Sequence, residues 1–545
     1  MTRRAFDVIH WYMNDVASRV VAKTGIPSDR HHLGKLILHS FQDDPDFVSQ
    51  IDGGTGQSET SGSVLDRSIR CAVSLTNMGL KKGDVMVLMG PNHLDFCIPH
   101  YGALYNGIMV ACIDATLGPN ELRDLFHTNQ PNIIFCQNEK TVDIEKALQM
   151  SKVDAKIVTF DKDSKYTTLA DLLEIENKDE IQNFKPTDLD PEDAVAYLTS
   201  TSGTTGVPKT AMLTHKNLTI GVPYMWATFT KFPTPTRLAI VTSPAQWLSA
   251  GFHYLLSPVL KYTRLQTSAP LTPEHFAELV NIYKPTYIVT SPTMMITMVN
   301  SAKCDFTCFK TILLGGSGVT QEVVNEVKQI AKTDNVKIVY GMTELSGVAV
   351  QSDFPPEPGF CGRPIGAIDA KLVDPITNKD ITEPNVKGEL WFKGPNVFKG
   401  YHNNPEETKS TLTEDGWLKS GDIFYRDYSW NLFFVERYKL LLKYRNHQVS
   451  PLEIESVIMR HPGVFHAAVT GIPDKECGDL VVACVVPKPG CTVTAQEIKD
   501  LVKDSLTDSK QLRGGVIFLK ELPETSTSKI DRKKLKELVL TLPRE

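Results

Sequence analysis

An apolar run that leads straight into a turn of glycine and hydroxyl residues, between positions 194 and 210, constrains this chain most. The run Ala194–Leu198 predicts a buried strand. The next segment holds five hydroxyl residues, two glycines and one lysine, namely Thr201, Ser202, Gly203, Thr204, Thr205, Gly206, Lys209 and Thr210. Glycines allow close backbone approach, N–H and hydroxyl groups donate hydrogen bonds, and lysine adds positive charge. The segment therefore predicts a phosphate-binding loop at the end of a strand.

This loop differs from the P-loop of ATPases and GTPases, whose pattern is G-x-x-x-x-G-K-[ST]. Lys209 is preceded by Pro208 rather than by glycine. Proline has no N–H to donate to a phosphate and it fixes φ, so a P-loop fold is not expected. A flexible linker also fits poorly, because a strand precedes the segment and Pro-Lys ends it.

Length and composition predict a multi-domain enzyme without a nucleic-acid partner or a membrane span. A chain of 545 residues is too long for one hydrophobic core. Its net charge of −6 argues against a nucleic-acid-binding surface, and it has no run of about 18 apolar residues. The ten scattered cysteines are typical of reduced thiols in an intracellular protein. With no signal peptide and no Ser-Lys-Leu-type C-terminus, a cytoplasmic location is expected.

Apolar β-rich runs alternate with helical patterns along most of the chain. Strands are predicted at Val85–Met89, Ile133–Cys136 and Ile157–Phe160, with a helix at Thr141–Met150, and the same rhythm recurs between Tyr287 and Val339. This alternation predicts an α/β fold with largely parallel sheets. In such sheets, phosphate and nucleotide sites lie at the carboxyl ends of strands.

A domain boundary is predicted between residues 435 and 436. Residues 1–435 are expected to form a large N-terminal domain of layered α/β subdomains. Residues 436–545 carry a self-sufficient pattern of their own, with helices at Leu452–Met459 and Ala495–Leu506 around a strand at Val481–Val486. About 110 residues suffice for a small α+β domain.

Three further segments supply groups suited to a nucleotide. Tyr340-Gly-Met-Thr-Glu344 combines a flat ring, a hydroxyl and a carboxylate that can bind Mg²⁺ beside phosphate oxygens. Gly315-Gly-Ser-Gly318 follows a predicted strand and offers bare backbone. Asp422, at the end of Trp417-Leu-Lys-Ser-Gly-Asp422, can accept two hydrogen bonds from a cis-diol.

In their order and spacing, these segments resemble the acyl-adenylate-forming superfamily of acyl-CoA synthetases, coumarate-CoA ligases, adenylation domains and beetle luciferases. The resemblance covers essentially the whole chain. The run from Gly400-Tyr-His-Asn-Asn-Pro405 to Asp422 looks particularly like beetle luciferases and their insect acyl-CoA synthetase relatives. It implies that ATP and Mg²⁺ activate a small-molecule carboxylic acid to acyl-AMP with release of pyrophosphate, after which CoA forms a thioester.

The resemblance also implies a role for each matching residue. Glu344 would bind the metal ion. The nucleotide would be held by Thr201, Ser202, Gly203, Thr204, Thr205, Gly206, Lys209, Gly316, Ser317, Tyr340, Gly341, Met342, Asp422 and Arg437. The acyl pocket would be lined by Trp247, Phe252, Gly315, Gly318 and Val319.

Three residues are implied to act in catalysis. Thr343 would contact the α-phosphate, and Lys529 would stabilise the charge that develops during adenylation. Lys443 lies on the opposite face of the family's small domain and would serve the CoA step. The small domain of the family is a mobile lid, with its hinge here near Glu436 and Arg437.

Several positions depart from the family pattern. Thr210, Asn446 and Ser528 stand where glycine is usual, and Asn446 bears on the CoA step in particular. Ser317-Gly318 replaces Ala-Pro, and Gln246-Trp247 replaces the histidines of luciferases. The second change argues against beetle-type luciferin and, with Phe252, Val319 and Met342, suggests an apolar pocket for a fatty or aromatic acid.

Three interpretations follow from the residues. The first is an acyl-CoA ligase, and the second is a luciferase that adenylates a luciferin and oxidises it with O₂. The third is a nucleotide-binding relative with little turnover, which the lost glycines favour and the intact charged positions oppose. The sequence leaves open whether the protein is a monomer or a homodimer.

Overall fold

The computed structural model describes residues 8–162, 165–175, 177–201, 209–223, 237–301, 303–317, 319, 321–352, 359–366, 368–445, 447–474, 476–525 and 529–545. The strands within these residues, numbered β1 to β27 in chain order, are Val48–Asp52, Ser58–Thr60, Val85–Leu88, Met109–Cys112, Ile133–Cys136, Lys156–Thr159, Thr167–Thr168, Val195–Thr201, Lys209–Thr214, Leu238–Ile240, Thr263–Gln266, Tyr287–Thr290, Thr311–Gly315, Val336–Met342, Gly347–Gln351, Phe360–Pro364, Asp369–Val373, Asp380–Ile381, Gly388–Lys393, Gly400–Tyr401, Leu418–Arg426, Leu432–Arg437, Leu442–Tyr444, His447–Val449, Val464–Asp474, Gly478–Pro487 and Gly515–Phe518.

The α-helices of the same residues, numbered α1 to α17, are Val8–Thr24, Leu33–Asp43, Ser61–Asn77, Cys97–Asn106, Pro119–Asn129, Thr141–Ser151, Leu169–Leu173, Lys178–Gln182, His215–Gly221, Leu248–Leu260, Pro273–Tyr283, Pro292–Ser301, Gln321–Ala331, Pro405–Thr411, Pro451–Ile458, Ala495–Ser505 and Arg532–Thr541. No helix in these ranges is both long and apolar enough to cross a membrane.

Two large sheets form the N-terminal domain. One sheet runs in the order β20-β9-β8-β4-β3-β5-β6-β7. The strands from β8 to β7 in this order are parallel, whereas β9 is antiparallel to β8. The second runs β18-β17-β19-β21-β22-β16-β15-β14-β13-β12-β10-β11-β1-β2. A hydrophobic cluster joins the sheets through helices α2, α4 and α10, with members such as Leu36, Leu104, Leu255, Met86 and Leu313. Burial of this shared apolar surface fixes the two sheets against each other.

The second sheet changes character at the carboxyl end of β14. Strands β10 to β14 are parallel, whereas β14 pairs antiparallel with β15, and the pairing stays antiparallel from there to β18. In this second sheet, the prediction of largely parallel strands therefore holds for β10 to β14 and is wrong for β15 to β22. Short turns such as 374–379 and 427–431 join many of the later strands, and such connections are too short for the crossover that a parallel pair needs.

A third, five-stranded sheet forms the small C-terminal domain. Strands β23 to β27 pack against α15 and α16 around a separate hydrophobic cluster that includes Tyr444, Ile454 and Val485. The predicted fold class is therefore confirmed: a large α/β N-terminal domain and a small α+β C-terminal domain. Strand β22 extends to Arg437, and the boundary at 435/436 stays a prediction.

Candidate active site

The floor of the candidate site is the carboxyl edge of the parallel strands β13 and β14. Gly315 ends β13 and approaches the neighbouring strand so closely that a Cβ built on it would lie 2.6 Å from the carbonyl oxygen of Val339. Gly316 follows with φ of +92°, a conformation that favours glycine. Gly316 and Ser317 are both exposed at this edge, whereas Gly318 lies outside the described residues.

A tight hairpin carries the predicted Tyr340–Glu344 segment. Strands β14 and β15 pair Gly341 with Val348, and a Cβ on Gly341 would lie 2.2 Å from the carbonyl oxygen of Gly347. Only glycine fits so close an approach. The hairpin thereby places Tyr340, Met342, Thr343 and Glu344 at the edge of the sheet where β13 also ends.

Tyr340 joins this hairpin to Asp422 and Arg437. Its ring packs against Phe392 and Phe424, and its hydroxyl donates to Asp422 Oδ2 at 2.6 Å. Strands β21 and β22 pair Asp422 with Arg437, whose Nε lies 3.4 Å from Asp422 Oδ1. Asp422 is only 5% exposed. Burial raises the pKa of its carboxyl group, although Arg437 and the Tyr340 hydroxyl both act to lower it.

Lys529 enters the site from the C-terminal domain. Its Cε lies 4.0 Å from the position of a Cβ built on Gly316. The side chain keeps contact with solvent, as expected in an open cleft. Desolvation within this cleft, helped by Arg437, lowers the pKa of the Lys529 ammonium, while Asp422 and Glu344 act in the opposite direction. The structure therefore gathers Lys529, Gly316, Asp422, Arg437 and Glu344.

Hydrogen bonds between residues 523–525 and residues 529–531 hold Lys529 in place. The Lys529 N–H donates to Thr525 Oγ1 at 3.3 Å, and the Thr525 N–H donates to the Lys529 carbonyl at 2.8 Å. The Asp531 N–H then donates to the Pro523 carbonyl at 2.8 Å. Next to it, Arg532 donates to both carboxylate oxygens of Glu455, at 2.6 and 3.1 Å. These bonds fasten the lysine-bearing segment to the C-terminal domain.

Glu344 and Lys209 lie at the other end of the site. Glu344 is 7% exposed and accepts a hydrogen bond of 2.7 Å from the Tyr401 hydroxyl. The ammonium of Lys209 lies 5.4 Å from the centre of the Tyr401 ring and forms an ion pair with Glu407. Thr201 pairs with Lys209 across the hairpin β8–β9. The remaining predicted loop residues, Ser202 to Gly206, lie outside the described residues.

The predicted acyl-pocket residues are only partly brought together. Phe252, on α10, is 7% exposed, and its ring lies 3.5 Å from a Cβ built on Gly347, which pairs with Met342. Trp247 precedes α10 and has a buried indole Nε1 without a partner among the described residues. Val319 packs on the hydrophobic cluster beneath α13, which is a different one from that of Phe252.

Lys443 lies apart from this group. It sits on β23, is exposed, and donates its backbone N–H to Asp479 Oδ2 at 2.9 Å. The division of roles between Lys529 and Lys443 stays a prediction. Asn446, whose effect on the CoA step is in question, lies outside the described residues.

Sequence reasoning missed Tyr401 and Glu407 as members of the site. Both lie in the run from Gly400-Tyr-His-Asn-Asn-Pro405 to Asp422, which contributed to the resemblance without a role for either residue. Tyr401 reaches Glu344 across 57 positions, and Glu407 reaches Lys209 across 198. A Gly-Tyr pair followed by an Asn-Pro helix start was the available signal.

Comparison with known proteins identifies the family of the chain. The family model for AMP-binding enzymes matches residues 38–402, and the model for their C-terminal domain matches residues 453–529. The chain belongs to the AMP-binding enzyme family. The resemblance to acyl-adenylate-forming enzymes is thereby confirmed.

Relatives of the chain carry out two different reactions. Luciferin 4-monooxygenase of Photuris pensylvanica is 33% identical, over 92% of this chain and 93% of that protein. The 4-coumarate-CoA ligase 1 of Narcissus pseudonarcissus is 30% identical, over 92% of this chain and 91% of that protein. The crystal structure of ATP-bound MatB from Rhodopseudomonas palustris has a TM-score of 0.81 at 24% identity, over 93% of this chain and 98% of that one, and so shares the fold.

Proposed function

We propose that this protein is an acid–thiol ligase that activates a carboxylic acid with ATP and then transfers the acyl group to CoA. The observation that carries the proposal is the position of Lys529 over Gly316, within electrostatic reach of Asp422 and Glu344. A lysine of the C-terminal domain is thereby held at the strand edge where a nucleotide site is expected.

In the first step, an oxygen of the substrate carboxylate attacks the α-phosphorus of ATP. The bond from that phosphorus to the bridging oxygen breaks, and pyrophosphate leaves. Lys529 stabilises the charge that develops at the phosphorus oxygens, and the Thr343 hydroxyl contacts the α-phosphate. Groups that are already positioned and partly desolvated stabilise such charge most effectively.

Asp422 and Arg437 bind the nucleotide sugar. The carboxylate of Asp422 can accept hydrogen bonds from both ribose hydroxyls, since each carboxylate oxygen has two lone pairs. Tyr340 holds Asp422 through its hydroxyl, and its ring borders the base together with Gly316, Ser317, Gly341 and Met342. Thr201, Lys209 and the loop between them bind the phosphates.

Glu344 is the residue that would bind Mg²⁺. A single carboxylate suits this ion, which in nucleotide sites takes one or two carboxylates together with phosphate oxygens. When bound, Mg²⁺ would neutralise phosphate charge and so favour departure of pyrophosphate. Tyr401 donates to Glu344 Oε1, and Oε2 has no hydrogen-bond partner among the described residues.

In the second step, the CoA thiol attacks the acyl carbon. The bond from that carbon to the phosphate oxygen breaks, AMP leaves, and the thiol proton passes to solvent. Lys443 would serve this step after the C-terminal domain rotates about the hinge near Glu436 and Arg437. The acid is proposed to be fatty or aromatic, because Trp247 and Phe252, which carry the predicted pocket at the start of α10, are apolar.

Luciferin oxidation is the second candidate, favoured by 33% identity to a luciferin 4-monooxygenase. It would use the same adenylation residues and then O₂ instead of CoA. The replacement of luciferase histidines by Gln246 and Trp247 argues against beetle-type luciferin but leaves other luciferins open.

The deciding experiment measures pyrophosphate release with Mg²⁺ and ATP against fatty, aromatic and luciferin-like acids. Each acid is tested with and without CoA under a photon counter. CoA-dependent turnover in the dark supports the ligase and names its substrate. Light without CoA supports the luciferase, and absence of both across a broad panel contradicts both proposals.

A further inference from the structure

The Lys209 end of the candidate site contains a carboxylate, that of Glu407, which the proposed adenylation steps do not use. Glu407 forms an ion pair with the ammonium of Lys209, whose side chain is only 12% exposed, against 30% for Glu407. The aromatic ring of Tyr401 flanks the same ammonium at 5.4 Å. The Tyr401 hydroxyl in turn donates to Glu344. Lys209 and Glu344 are thus linked through residues outside the predicted loop.

The backbone around Glu407 is well fixed. Strand β20 pairs Tyr401 with Ala211, two residues from Lys209 along β9. The Tyr401 N–H donates to Thr408 Oγ1 at 2.9 Å, and the Asn404 side chain accepts from the Glu407 N–H at 3.1 Å. Glu407 therefore lies in the first turn of α14, with its carboxylate directed at Lys209 rather than at solvent alone.

Contacts and charge interactions connect the charged residues of the site from Asp422 through Lys529 and Glu344 to Glu407. Asp422 and Arg437 lie with Tyr340 at one end, and Lys529 and Gly316 lie beside them. Glu344 comes next, followed by Tyr401, Lys209 and Glu407. A nucleotide whose ribose is held by Asp422 would extend its terminal phosphates towards Lys209, and so towards Glu407.

We propose that Glu407 is a positioning residue that weakens the hold of the site on the β- and γ-phosphates of ATP and on pyrophosphate. This inference rests on the proposed function. The carboxylate of Glu407 competes with phosphate oxygens for the Lys209 ammonium and repels the polyanion itself. Once pyrophosphate forms, Glu407 can recapture Lys209, which favours release of the product.

A purely structural ion pair makes a different prediction. Such a pair would only hold α14 against β9, and its loss would lower stability without changing anion affinity. The choice of ligand separates the two roles. AMP lacks the β- and γ-phosphates, so its affinity should not respond to Glu407.

The test compares Glu407→Gln with Glu406→Gln by isothermal titration calorimetry, using MgATP, Mg-pyrophosphate and AMP on the full-length protein. The amide of Glu407→Gln keeps the size of the side chain and an oxygen for Lys209. Glu406 is the neighbouring, exposed residue, so its variant changes the net charge equally. Thermal unfolding of both variants verifies that they fold.

We expect Glu407→Gln to bind MgATP and Mg-pyrophosphate about 5- to 10-fold more tightly, the size expected for removing a half-buried charge beside a polyanion. AMP affinity should stay within about 2-fold, and Glu406→Gln should leave all three affinities within about 2-fold, because exposed charges are screened. In steady state, the KM for ATP should fall and inhibition by pyrophosphate should strengthen.

Unchanged or weaker binding of pyrophosphate by Glu407→Gln would overturn the inference. Equal tightening in Glu406→Gln would overturn it as well, since net charge alone would then explain the effect. Equal tightening for AMP would show that Glu407 does not face the terminal phosphates. If the wild-type protein binds neither ATP nor pyrophosphate, the proposed function fails, and the inference fails with it.

Discussion

Replacement of Lys529 by alanine should abolish most acyl-AMP formation while leaving ATP binding largely intact. The Cε of Lys529 lies 4.0 Å from a Cβ built on Gly316, so its ammonium is close to the strand edge where the α-phosphate is expected. An ammonium about 4 Å from a unit charge, at an effective dielectric constant near 20, contributes roughly 4 kcal/mol. Loss of one comparable donor costs about 10²–10³ in rate. Because Lys529 keeps contact with solvent, its charge is partly screened, and the expected loss in the rate of acyl-AMP formation is nearer 10²-fold.

The assay is exchange of labelled pyrophosphate into ATP in the presence of the acid, with ATP affinity measured separately by calorimetry. Lys536→Ala is the matched control, because Lys536 is an exposed lysine of the same C-terminal segment. Exchange at the wild-type rate by Lys529→Ala would refute the assigned role. A loss of ATP binding as large as the loss of exchange would also refute it, since the lysine would then bind the ground state.

Three further predictions test other parts of the site. Lys443→Ala should spare pyrophosphate exchange and impair only CoA-dependent turnover, and equal loss of both steps would contradict the division of roles between the two lysines. The adenylation rate should fall as pH drops through the raised pKa of Asp422, above the ordinary value of about 3.9, because the protonated acid grips the ribose poorly. The adenylation rate should also fall as pH rises through the lowered pKa of Lys529, which lies below the ordinary value of about 10.4. Lys529→Arg should move this alkaline fall in rate to higher pH. A rate that stays constant between pH 4 and 10 would count against the roles of both Asp422 and Lys529. Gly341→Ala should destabilise the protein by about 1–3 kcal/mol in urea, because its Cβ would lie 2.2 Å from the Gly347 carbonyl oxygen, whereas Gly118→Ala meets no atom closer than 3.9 Å and should change little.

The sequence predicted those parts of the fold that have a local signature. The strands at Tyr287–Thr290 and Ile133–Cys136 agree with the structure, and the helix predicted at Thr141–Met150 ends one residue later. These elements are short apolar runs or amphipathic segments between turn residues, so local pattern and tertiary burial agree. The antiparallel half of the large sheet had no such signature, because its strands are joined by varied turns.

The side-chain contacts of the site were less predictable. The order of the motifs predicted Asp422 and Tyr340 separately as site residues. Nothing in the sequence indicated that the Tyr340 hydroxyl would donate to the Asp422 carboxylate. Contacts such as Lys209 to Glu407 and Arg532 to Glu455 join residues 198 and 77 positions apart. A single sequence carries no periodic signal for pairs this distant, since they depend on how whole strands and helices are placed.

The carboxylate of Glu436, at the proposed hinge, ties the end of β22 to the C-terminal domain in the arrangement that places Lys529 at the strand edge. The Glu436 carboxylate accepts from the Leu452 N–H at 3.1 Å, in the first turn of α15, and from the Arg437 N–H at 2.9 Å. It is 4% exposed, and burial raises its pKa while Arg532 opposes that effect. Arg532 binds Glu455 of the same helix and lies three residues after Lys529. Glu436 and Arg532 therefore both bind residues of α15, and rotation at the proposed hinge would have to break the Leu452 bond as it withdraws Lys529 from the site.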